Sequence, residues 1–173
     1  MSYLENYEKW LATDSLSAEE KAELKAISGD DREIRERFSF GLNFGTGGLR
    51  GMMKTGMNAM NVHTVAQATQ GLAYHILRCK KANGGVVVGR DSRINSELFA
   101  KTVARVLAAN GIKVYMFRDI QPTPELSFAL RQLGCTAGVN ITASHNPKEY
   151  NGYKAYWEDG AQLSLEDADS VKA

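Results

Sequence analysis

Short apolar runs alternate with amphipathic stretches after residue 60, and this alternation constrains the fold more than any other feature of the chain. Three runs, "GGVVVG", "IKVYMF" and "TAGVNI", have the length and the branched residues typical of buried strands. Between them, apolar residues recur at helical spacing. Strands that alternate with helices predict an α/β fold in which helices cover both faces of a sheet.

Capping residues indicate where the helices of this pattern begin and end. Asn61 precedes the first long amphipathic stretch, and Thr123 followed by Pro124 predicts a helix capped by Thr123. Gly111 and Gly134 follow two of the stretches, as is typical at helix C-termini. With "YKAYW" as a further strand, we expect a three-layer α/β/α sandwich around a mostly parallel mixed sheet of about four strands.

The N-terminal part of the chain differs from the rest in composition. Residues 17–37 carry 12 charged side chains in 21 positions, which is typical of short helices with a solvated face. Ser17 with Glu20 forms the sequence signature of a capping box. We therefore expect a helical extension of two or three short helices over residues 1–40, followed by an α/β domain over residues 41–173.

The charge balance argues against several classes of protein. Lysine and arginine number 21 against 20 acidic residues, a net charge of +1, which argues against dedicated nucleic-acid binding. No apolar stretch approaches the ~20 residues that span a membrane, and the acidic N-terminus does not resemble a signal peptide. We expect a cytoplasmic protein that binds neither nucleic acid nor membrane.

Five glycines occur in "FGTGGLRGMMKTGMNAMN", residues 44–61, which indicates unusual backbone angles or close backbone contacts. A dinucleotide-binding GxGxxG pattern that starts at Gly45 fails because Arg50 occupies its last glycine position. No window fits a P-loop either. The stretch is therefore either a glycine loop that brings Arg50 to an anion or a plain turn.

Two polar segments directly follow predicted strands. "GRDSR" places Arg90, Asp91 and Arg93 after one strand, and "TASHNP", residues 142–147, follows another. Arginine suits bidentate phosphate binding and aspartate can fix a neighbouring loop, although a surface cluster of salt bridges has the same composition. Since ligands bind beyond the carboxyl ends of strands in such sheets, we expect the two segments to converge on one site.

Ser144 in the second segment is a candidate nucleophile. Its neighbour His145 resembles a general base, but adjacent residues on an extended chain point in opposite directions. We therefore expect His145 to bind substrate or to relay a proton elsewhere. The GxSxG pattern of the α/β-hydrolases is missing. Lys148 and Lys154 flank the segment and could neutralise a phosphate, whereas the Asn-Pro dipeptide is typical of a turn.

Three segments, "FGTGGLRG" (44–51), "GRDSR" (89–93) and "TASHNPKEYNGYK" (142–154), coincide in this chain. Together they resemble the first domain of the α-D-phosphohexomutases, the phosphoglucomutase/phosphomannomutase family, over roughly residues 40–160. With its helical extension, the chain is most similar to the branch of bacterial phosphoglucomutases and animal phosphoglucomutase-2/phosphopentomutases. The resemblance implies interconversion of glucose 1-phosphate and glucose 6-phosphate through a bound 1,6-bisphosphate.

The resemblance also implies roles for individual residues. Ser144 would carry a phosphoryl group with Arg50 beside it, and His145 and Lys154 would assist proton transfer and bind the transferring phosphate. A Mg²⁺ ion would join the phosphate of Ser144 to aspartates outside this chain, and glucose 1,6-bisphosphate would serve as intermediate and activator. The expected phosphate- or substrate-binding residues are Arg50, Arg90, Arg93, Lys148 and Asn146, and the expected loop-supporting residues are Asp91 and Thr142.

The chain departs from the family pattern in its missing segments. We find no aspartate-rich metal loop of DGDxDR type, no sugar loop of GE-SGH type and no phosphate loop of SGTEP type. We therefore expect domains II–IV of the family to be absent and the chain to be a fragment that is inactive alone. Those domains or a complementing chain would be its partner.

Alternatives stay open at this point. The chain could be a non-catalytic module that binds a phosphosugar or is phosphorylated for regulation. Its specificity could also be that of a phosphopentomutase or phosphomannomutase, because the loops that choose the sugar lie outside this chain. A fragment would expose the apolar face that normally contacts the next domain, so self-association through that face is expected.

Overall fold

The computed structural model describes residues 2–45 and 48–172. In chain order the elements are α1 (Tyr3–Ala12), α2 (Ala18–Ala26), α3 (Asp31–Phe38), β1 (Gly48–Met52), α4 (Val62–Arg78), β2 (Val86–Arg90), α5 (Ser96–Ala109), β3 (Val114–Met116), α6 (Thr123–Gln132), β4 (Ala137–Ile141), β5 (Tyr150–Trp157) and α7 (Leu165–Lys172). Within these ranges, none of the helices has both the length and the hydropathy that crossing a bilayer requires.

The strands form one mixed sheet in the order β1-β5-β4-β2-β3. Strands β4, β2 and β3 run parallel, whereas β5 is antiparallel to both β4 and β1. The α/β fold expected from the sequence is confirmed, with five described strands rather than about four. The additional strand is β1, which lies in the glycine-rich segment. The parallel pairing is confined to the side of the sheet formed by β4, β2 and β3.

The close approach of β1 to β5 explains why a strand forms in a glycine-rich segment. A Cβ atom added to Gly48 would lie 1.8 Å from the carbonyl oxygen of Tyr153, so only glycine fits at that position. Because glycine is uncommon in strands, the composition of this segment does not indicate strand β1. Thr46 and Gly47, on which the expectation of a glycine loop also depends, lie outside the described residues.

Alternating side chains of the central strands pack helices onto both faces of the sheet. Val86 and Val88 of β2 belong to the core cluster that includes residues of α4, α5 and α7. Val87, between them, packs in the cluster that contains Leu126 and Leu130 of α6. All five residues of β4 are buried. Covering both faces leaves the carboxyl ends of β2 and β4 as the accessible edge of the sheet.

Helix starts follow the sequence signals with one exception. In α2 the capping box forms: the Glu20 N–H donates to Ser17 Oγ (3.2 Å) and the Ser17 N–H donates to Glu20 Oε2 (2.8 Å). The cap expected at Thr123 is wrong, because Pro122 is the N-cap and Thr123 is the first residue of α6. The Thr123 hydroxyl instead accepts a hydrogen bond from Asn140 Nδ2 at 2.9 Å, which ties α6 to β4.

Helices α1, α2 and α3 share a core that is separate from the sheet core. Its buried members are Tyr7, Leu16, Leu24, Ile34 and Phe38. The three helices are joined to the segment after β1 by a group of polar side chains, named here the docking cluster: Glu23, Glu33, Arg37, Lys54 and Thr55. Because these contacts cross residue 40, a domain division at that residue stays a prediction.

Arg37 is the centre of the docking cluster, with its side chain only 8% exposed. Its guanidinium lies 2.5 Å from Glu23 Oε1 and 2.9 Å from Glu33 Oε2, and Nη1 donates to the Thr55 carbonyl at 3.2 Å. Lys54 Nζ lies 3.0 Å from Glu33 Oε1. Every charge of the cluster therefore has a partner of opposite sign, which is what allows Arg37 to be buried.

Candidate active site

Ser144 follows β4 in a left-handed backbone conformation, with a φ of 58°. That conformation costs a residue with a Cβ atom roughly 1–2 kcal/mol, so neighbouring contacts must hold it. The Thr142 hydroxyl accepts a hydrogen bond from the Ser144 N–H at 3.0 Å. The Ser144 carbonyl accepts one from Arg93 Nη2 at 2.7 Å. Both backbone polar groups of Ser144 are thus bound, while its side chain is exposed.

The ring of His145 lies beside the Ser144 hydroxyl, with 3.4 Å between His145 Nδ1 and Ser144 Oγ. The expectation that the two side chains point in opposite directions assumed an extended chain. It is wrong because the turn at Ser144 brings both side chains to the same side. The separation is long for a hydrogen bond between a hydroxyl and a ring nitrogen, but a small movement would bring the two groups within proton-transfer distance.

Arg93 binds the backbone of the serine loop, defined here as residues 142–150. The guanidinium donates to four carbonyl oxygens, those of Pro147 (2.9 Å), Tyr150 (3.1 Å), Ser144 (2.7 Å) and Asn146 (2.8 Å). These bonds join the segment after β2 to the segment after β4. The two polar segments therefore converge at one edge of the sheet, as the sequence suggested.

The contacts of Arg93 differ from those expected of a phosphate ligand. Its Nε atom lies 3.3 Å from Asp91 Oδ2. The four carbonyl bonds use the four N–H donors of Nη1 and Nη2, and the contact of Nε with Asp91 is an ion pair. The terminal nitrogens that would bind a phosphate bidentately are thus bound by backbone carbonyls, and phosphate binding by Arg93 stays a prediction. The sequence could not reveal these bonds, because the acceptors are backbone carbonyls of a turn.

Asp91 connects this arrangement to the start of α5. Its Oδ1 atom accepts hydrogen bonds from the Arg93 N–H (3.0 Å) and the Ser96 hydroxyl (2.8 Å). Ser96 in turn accepts one from Nδ2 of Asn151, a fully buried residue, at 3.0 Å. The sequence reasoning missed Ser96 and Asn151. The available signal for Asn151 is an Asn-Gly dipeptide inside a strand-like run, and because this dipeptide is typical of turns it does not indicate a buried strand residue.

Two concave regions adjoin the serine loop. The first, of about 400 Å³, is lined by Ser144, Asn146 and Lys148 on one side and by residues 91–94 on the other. The second, of about 480 Å³, is lined by Arg50, Thr142 and Lys154, among others. Thr142 lies on the wall of the second region and also binds the Ser144 backbone. Thr142 therefore connects the wall of the second region to Ser144, which lines the first.

Arg50 and Lys154 are neighbours across strands β1 and β5. Arg50 pairs with Gly152 and Gly48 pairs with Lys154, so the two cationic side chains lie on adjacent strands near one concave region. In the described part of the chain, no carboxylate lies within ion-pair distance of Arg50, Lys148 or Lys154. Cations without carboxylate partners beside an exposed hydroxyl are suited to an anionic ligand.

This combination of fold and site has counterparts in known proteins. A family model described as "Phosphoglucomutase/phosphomannomutase, alpha/beta/alpha domain I" matches residues 41–173. The chain belongs to this family. The resemblance drawn from the sequence motifs is thereby confirmed at the level of the family and of its first domain.

Curated relatives align with most of this chain but with a small part of their own length. The chain is 47% identical over 136 residues to the phosphoglucomutase of Staphylococcus epidermidis, an alignment that covers 79% of this chain and 25% of that protein. It is 39% identical over 164 residues to the phosphopentomutase of Pongo abelii, covering 90% of this chain and 27% of that protein. The chain thus spans about a quarter of the length of these relatives.

The fold is shared with solved structures of the family. A crystal structure from Thermus thermophilus, of a protein provisionally assigned as a phosphomannomutase, matches with a TM-score of 0.69 and 34% identity. The match covers 77% of this chain and 29% of that one.

Arg90, also expected at the site, lines neither of the two concave regions. Its Nη2 atom is 3.8 Å from Glu97 Oε2 of α5. Its position at the end of β2 follows the sequence expectation, but its guanidinium faces a carboxylate. Phosphate binding by Arg90 stays a prediction.

A metal ion of the kind expected for this family needs several oxygen ligands, usually carboxylates. No group of three or more histidine, cysteine, aspartate or glutamate side chains in residues 2–45 and 48–172 could hold one. Asp91, the carboxylate beside Ser144, already binds Arg93 and Ser96. The described residues therefore do not fit a magnesium site by themselves.

Proposed function

We propose that this chain is the part of a phosphoglucomutase that carries the transferable phosphoryl group on Ser144. The observation that carries the proposal is the exposed Ser144 hydroxyl on a backbone fixed by Thr142 and Arg93. Lys148 lines the same concave region, and Arg50 and Lys154 line the adjacent one. Phosphoryl transfer depends mainly on positioning and on neutralising charge, and this site supplies both.

The reaction consists of two phosphoryl transfers. In the first, a sugar hydroxyl attacks the phosphorus on Ser144, the bond between phosphorus and Oγ breaks, and the hydroxyl loses its proton. The bound bisphosphate then presents its other phosphate. In the second, Ser144 Oγ attacks that phosphorus, the bond to the sugar oxygen breaks, and the sugar oxygen gains a proton. The net result is that the phosphate changes position on the sugar.

His145 and the cations have separate tasks in these steps. His145 Nδ1, 3.4 Å from Ser144 Oγ, is placed to take the serine proton when Oγ attacks and to return it when Oγ leaves. Lys148, Arg50 and Lys154 offset the negative charge of the phosphates. Magnesium stays part of the proposal only as an ion held by carboxylates outside the described residues, and we assign it no step.

Intact-mass measurement of the purified chain tests the proposal. We expect a gain of about 80 Da, the mass of one phosphoryl group, after incubation with glucose 1,6-bisphosphate. Ser144→Ala should abolish the gain, whereas Ser92→Ala, a serine that lines the same concave region, should retain it. A gain that persists in Ser144→Ala, or that is lost in Ser92→Ala alone, would contradict the assignment. We also expect the isolated chain to lack turnover.

A phosphopentomutase is the second candidate, because the Pongo abelii phosphopentomutase is 39% identical over 90% of this chain. Both reactions would use the same phosphoserine chemistry. Supplying the phosphorylated chain with the complementing domains and then, separately, with glucose 1-phosphate and ribose 1-phosphate distinguishes the two candidates by which sugar removes the phosphoryl group. A regulatory phosphoprotein would keep its phosphoryl group with both sugars.

A further inference from the structure

Hydrogen bonds and one ion pair connect the protein core to the serine loop through Arg93. Buried Asn151 donates to Ser96 Oγ (3.0 Å), and Ser96 donates to Asp91 Oδ1 (2.8 Å). Asp91 Oδ2 lies 3.3 Å from Arg93 Nε. Asn151 is additionally anchored by donation to the Ile94 carbonyl at 2.9 Å. Arg93 is thus fixed from the side opposite to the loop.

At the loop, the two terminal nitrogens of Arg93 each bind two carbonyls. Nη2 bridges Ser144 and Asn146, while Nη1 bridges Pro147 and Tyr150. The bridged residues begin at Ser144, the one left-handed position of the serine loop, and follow it along the chain. A planar fork with several donors in fixed directions suits this arrangement, and the single nitrogen of a lysine does not.

We propose that Arg93 is a positioning residue that holds Ser144 in its left-handed conformation through these four carbonyls and does not itself bind phosphate. The effect on phosphoryl transfer rests on the function proposed above, whereas the effect on the loop does not. Without the fork, Ser144 relaxes toward ordinary backbone angles and its hydroxyl turns away from its present position beside His145. The positively charged guanidinium of Arg93 binds carbonyl oxygens of the loop backbone.

Three variants separate this role from others. Arg93→Met removes all donors but keeps the apolar stem, and Arg93→Lys keeps the charge but removes the fork. Arg105→Met, at an exposed position of α5, is the matched control. Amide hydrogen exchange over residues 144–150 and the Ser144 coupling between the amide and α protons report the state of the loop.

We expect exchange in residues 144–150 to rise by roughly tenfold or more in both Arg93 variants, as expected when charge-assisted bonds that close a loop are lost. The Ser144 coupling should change in the same two variants, while Arg105→Met matches the wild type. Exchange and coupling that stay unchanged in Arg93→Lys would overturn the proposal. Should Arg93→Met fail to fold, Arg93→Lys decides the matter.

A titration with inorganic phosphate tests the claim that Arg93 does not bind phosphate. A positioning role predicts that Arg93→Lys disturbs the loop as much as Arg93→Met does, although its charge is retained. If Arg93 instead binds phosphate directly, we expect the opposite: amide hydrogen exchange in the loop stays unchanged in both variants. Phosphate affinity is then lost in Arg93→Met and largely kept in Arg93→Lys. That second pattern would overturn the proposal.

Phosphoryl uptake from glucose 1,6-bisphosphate, followed by intact mass, connects the loop to the chemistry. Both Arg93 variants should slow uptake while the donor concentration for half-maximal rate stays within about twofold, because positioning affects the reacting geometry more than binding. A half-maximal concentration that rises as much as the rate falls would overturn the proposal. If the wild-type chain takes up no phosphoryl group, the proposed function fails, and the exchange and coupling measurements still decide the role of Arg93.

Discussion

The docking cluster and the serine loop contain the same types of charged residue but pair them differently. In the docking cluster, Arg37 and Lys54 are each bound by carboxylates, at 2.5–3.0 Å. At the serine loop, Arg93 is bound mainly by backbone carbonyls. Arg50, Lys148 and Lys154 have no carboxylate within ion-pair distance among the described residues.

This difference shows that the partner of a cationic side chain, more than its residue type, determines whether the side chain stabilises the fold or stays available for a ligand. A paired and buried arginine stabilises the contact between the helical extension and the α/β part. A lysine beside an exposed hydroxyl, with carboxylates at a distance, retains its charge for a ligand. The molecule therefore has a region whose charges are neutralised internally and a region whose charges are available.

Arg37→Met should produce the largest effect on stability. It removes the donors that bind Glu23 and Glu33, and breaking a buried ion pair costs about 3 kcal/mol in free energy of unfolding. Arg35→Met, in the same helix, is the control, because Arg35 is 60% exposed in its pair with Asp31 and should cost less than about 1 kcal/mol. Urea denaturation measures both. Equal costs would show that the docking cluster behaves like an ordinary surface pair.

Gly152→Ala should give the next largest effect, this time at the serine loop. The added Cβ would lie 2.5 Å from the Thr142 carbonyl oxygen and 3.0 Å from that of Leu49. Such overpacking costs about 1–3 kcal/mol. Gly29→Ala is the control, since no atom lies within 4 Å of its added Cβ. A Gly152→Ala protein as stable as wild type would mean that β5 does not hold the loop as tightly as described.

Lys154→Met should weaken phosphate binding without weakening the fold. We expect about tenfold lower affinity for inorganic phosphate, the loss of one charge-assisted bond, and a free energy of unfolding within about 0.5 kcal/mol of wild type. Lys54→Met is the matched control, because Lys54 binds Glu33 at 3.0 Å. It should lower stability and leave the affinity unchanged. Calorimetric titration together with urea denaturation distinguishes the two lysines.

Lowering the pH should weaken the ion pairs of the docking cluster and so lower the free energy of unfolding. This is the smallest of the predicted effects. Burial alone would raise the pKa of Glu23, but hydrogen bonds from Thr55 and Arg37 outweigh it and hold that pKa below its ordinary value of 4.5. The hydrogen bond from Lys54 likewise lowers the pKa of Glu33. Their ionised forms therefore stabilise the fold above about pH 4.5, and this contribution is lost as the pH falls through the lowered values.

Urea denaturation of wild type and Glu23→Gln at pH 7 and below pH 4 measures this contribution. Glu23→Gln should be less stable than wild type at pH 7, and the difference should shrink in acid. A difference that is constant with pH would show that Glu23 acts through its shape and hydrogen bonding rather than its charge. Glu97→Gln is a control, because Glu97 itself is exposed and its ion pairs with Lys101 and Arg90 lie at the surface.

The sequence predicted elements where one local rule dominates. The buried strands β2 and β4 consist of apolar runs, and α2 begins at a Ser17–Glu20 capping box that the structure confirms. Strand β1 was not predicted, because Gly48 at its start is required by contact with β5, a partner about 100 residues away. The position of Thr123 inside α6 was not predicted for a related reason, because its hydroxyl is bound by Asn140 of a later strand.

The candidate site shows the same limit. The motifs placed Ser144, Asp91 and Arg93 at one edge of the sheet, because strand ends determine where following segments lie. They could not show that Arg93 would bind four backbone carbonyls, because the turn that presents those carbonyls depends on a left-handed φ at Ser144. The closeness of His145 to Ser144 follows from that same angle and was missed for the same reason.

A nuclear magnetic resonance titration of the chain with inorganic phosphate tests the contrast between the two regions most directly. We predict saturable shifts of the backbone amide signals in the serine loop and at Arg50 and Lys154. Amide signals of Glu23, Glu33 and Arg37 should stay unchanged over the same phosphate range. Shifts centred on the docking cluster, or an unresponsive serine loop, would contradict the account of a site whose cations are kept for an anionic ligand.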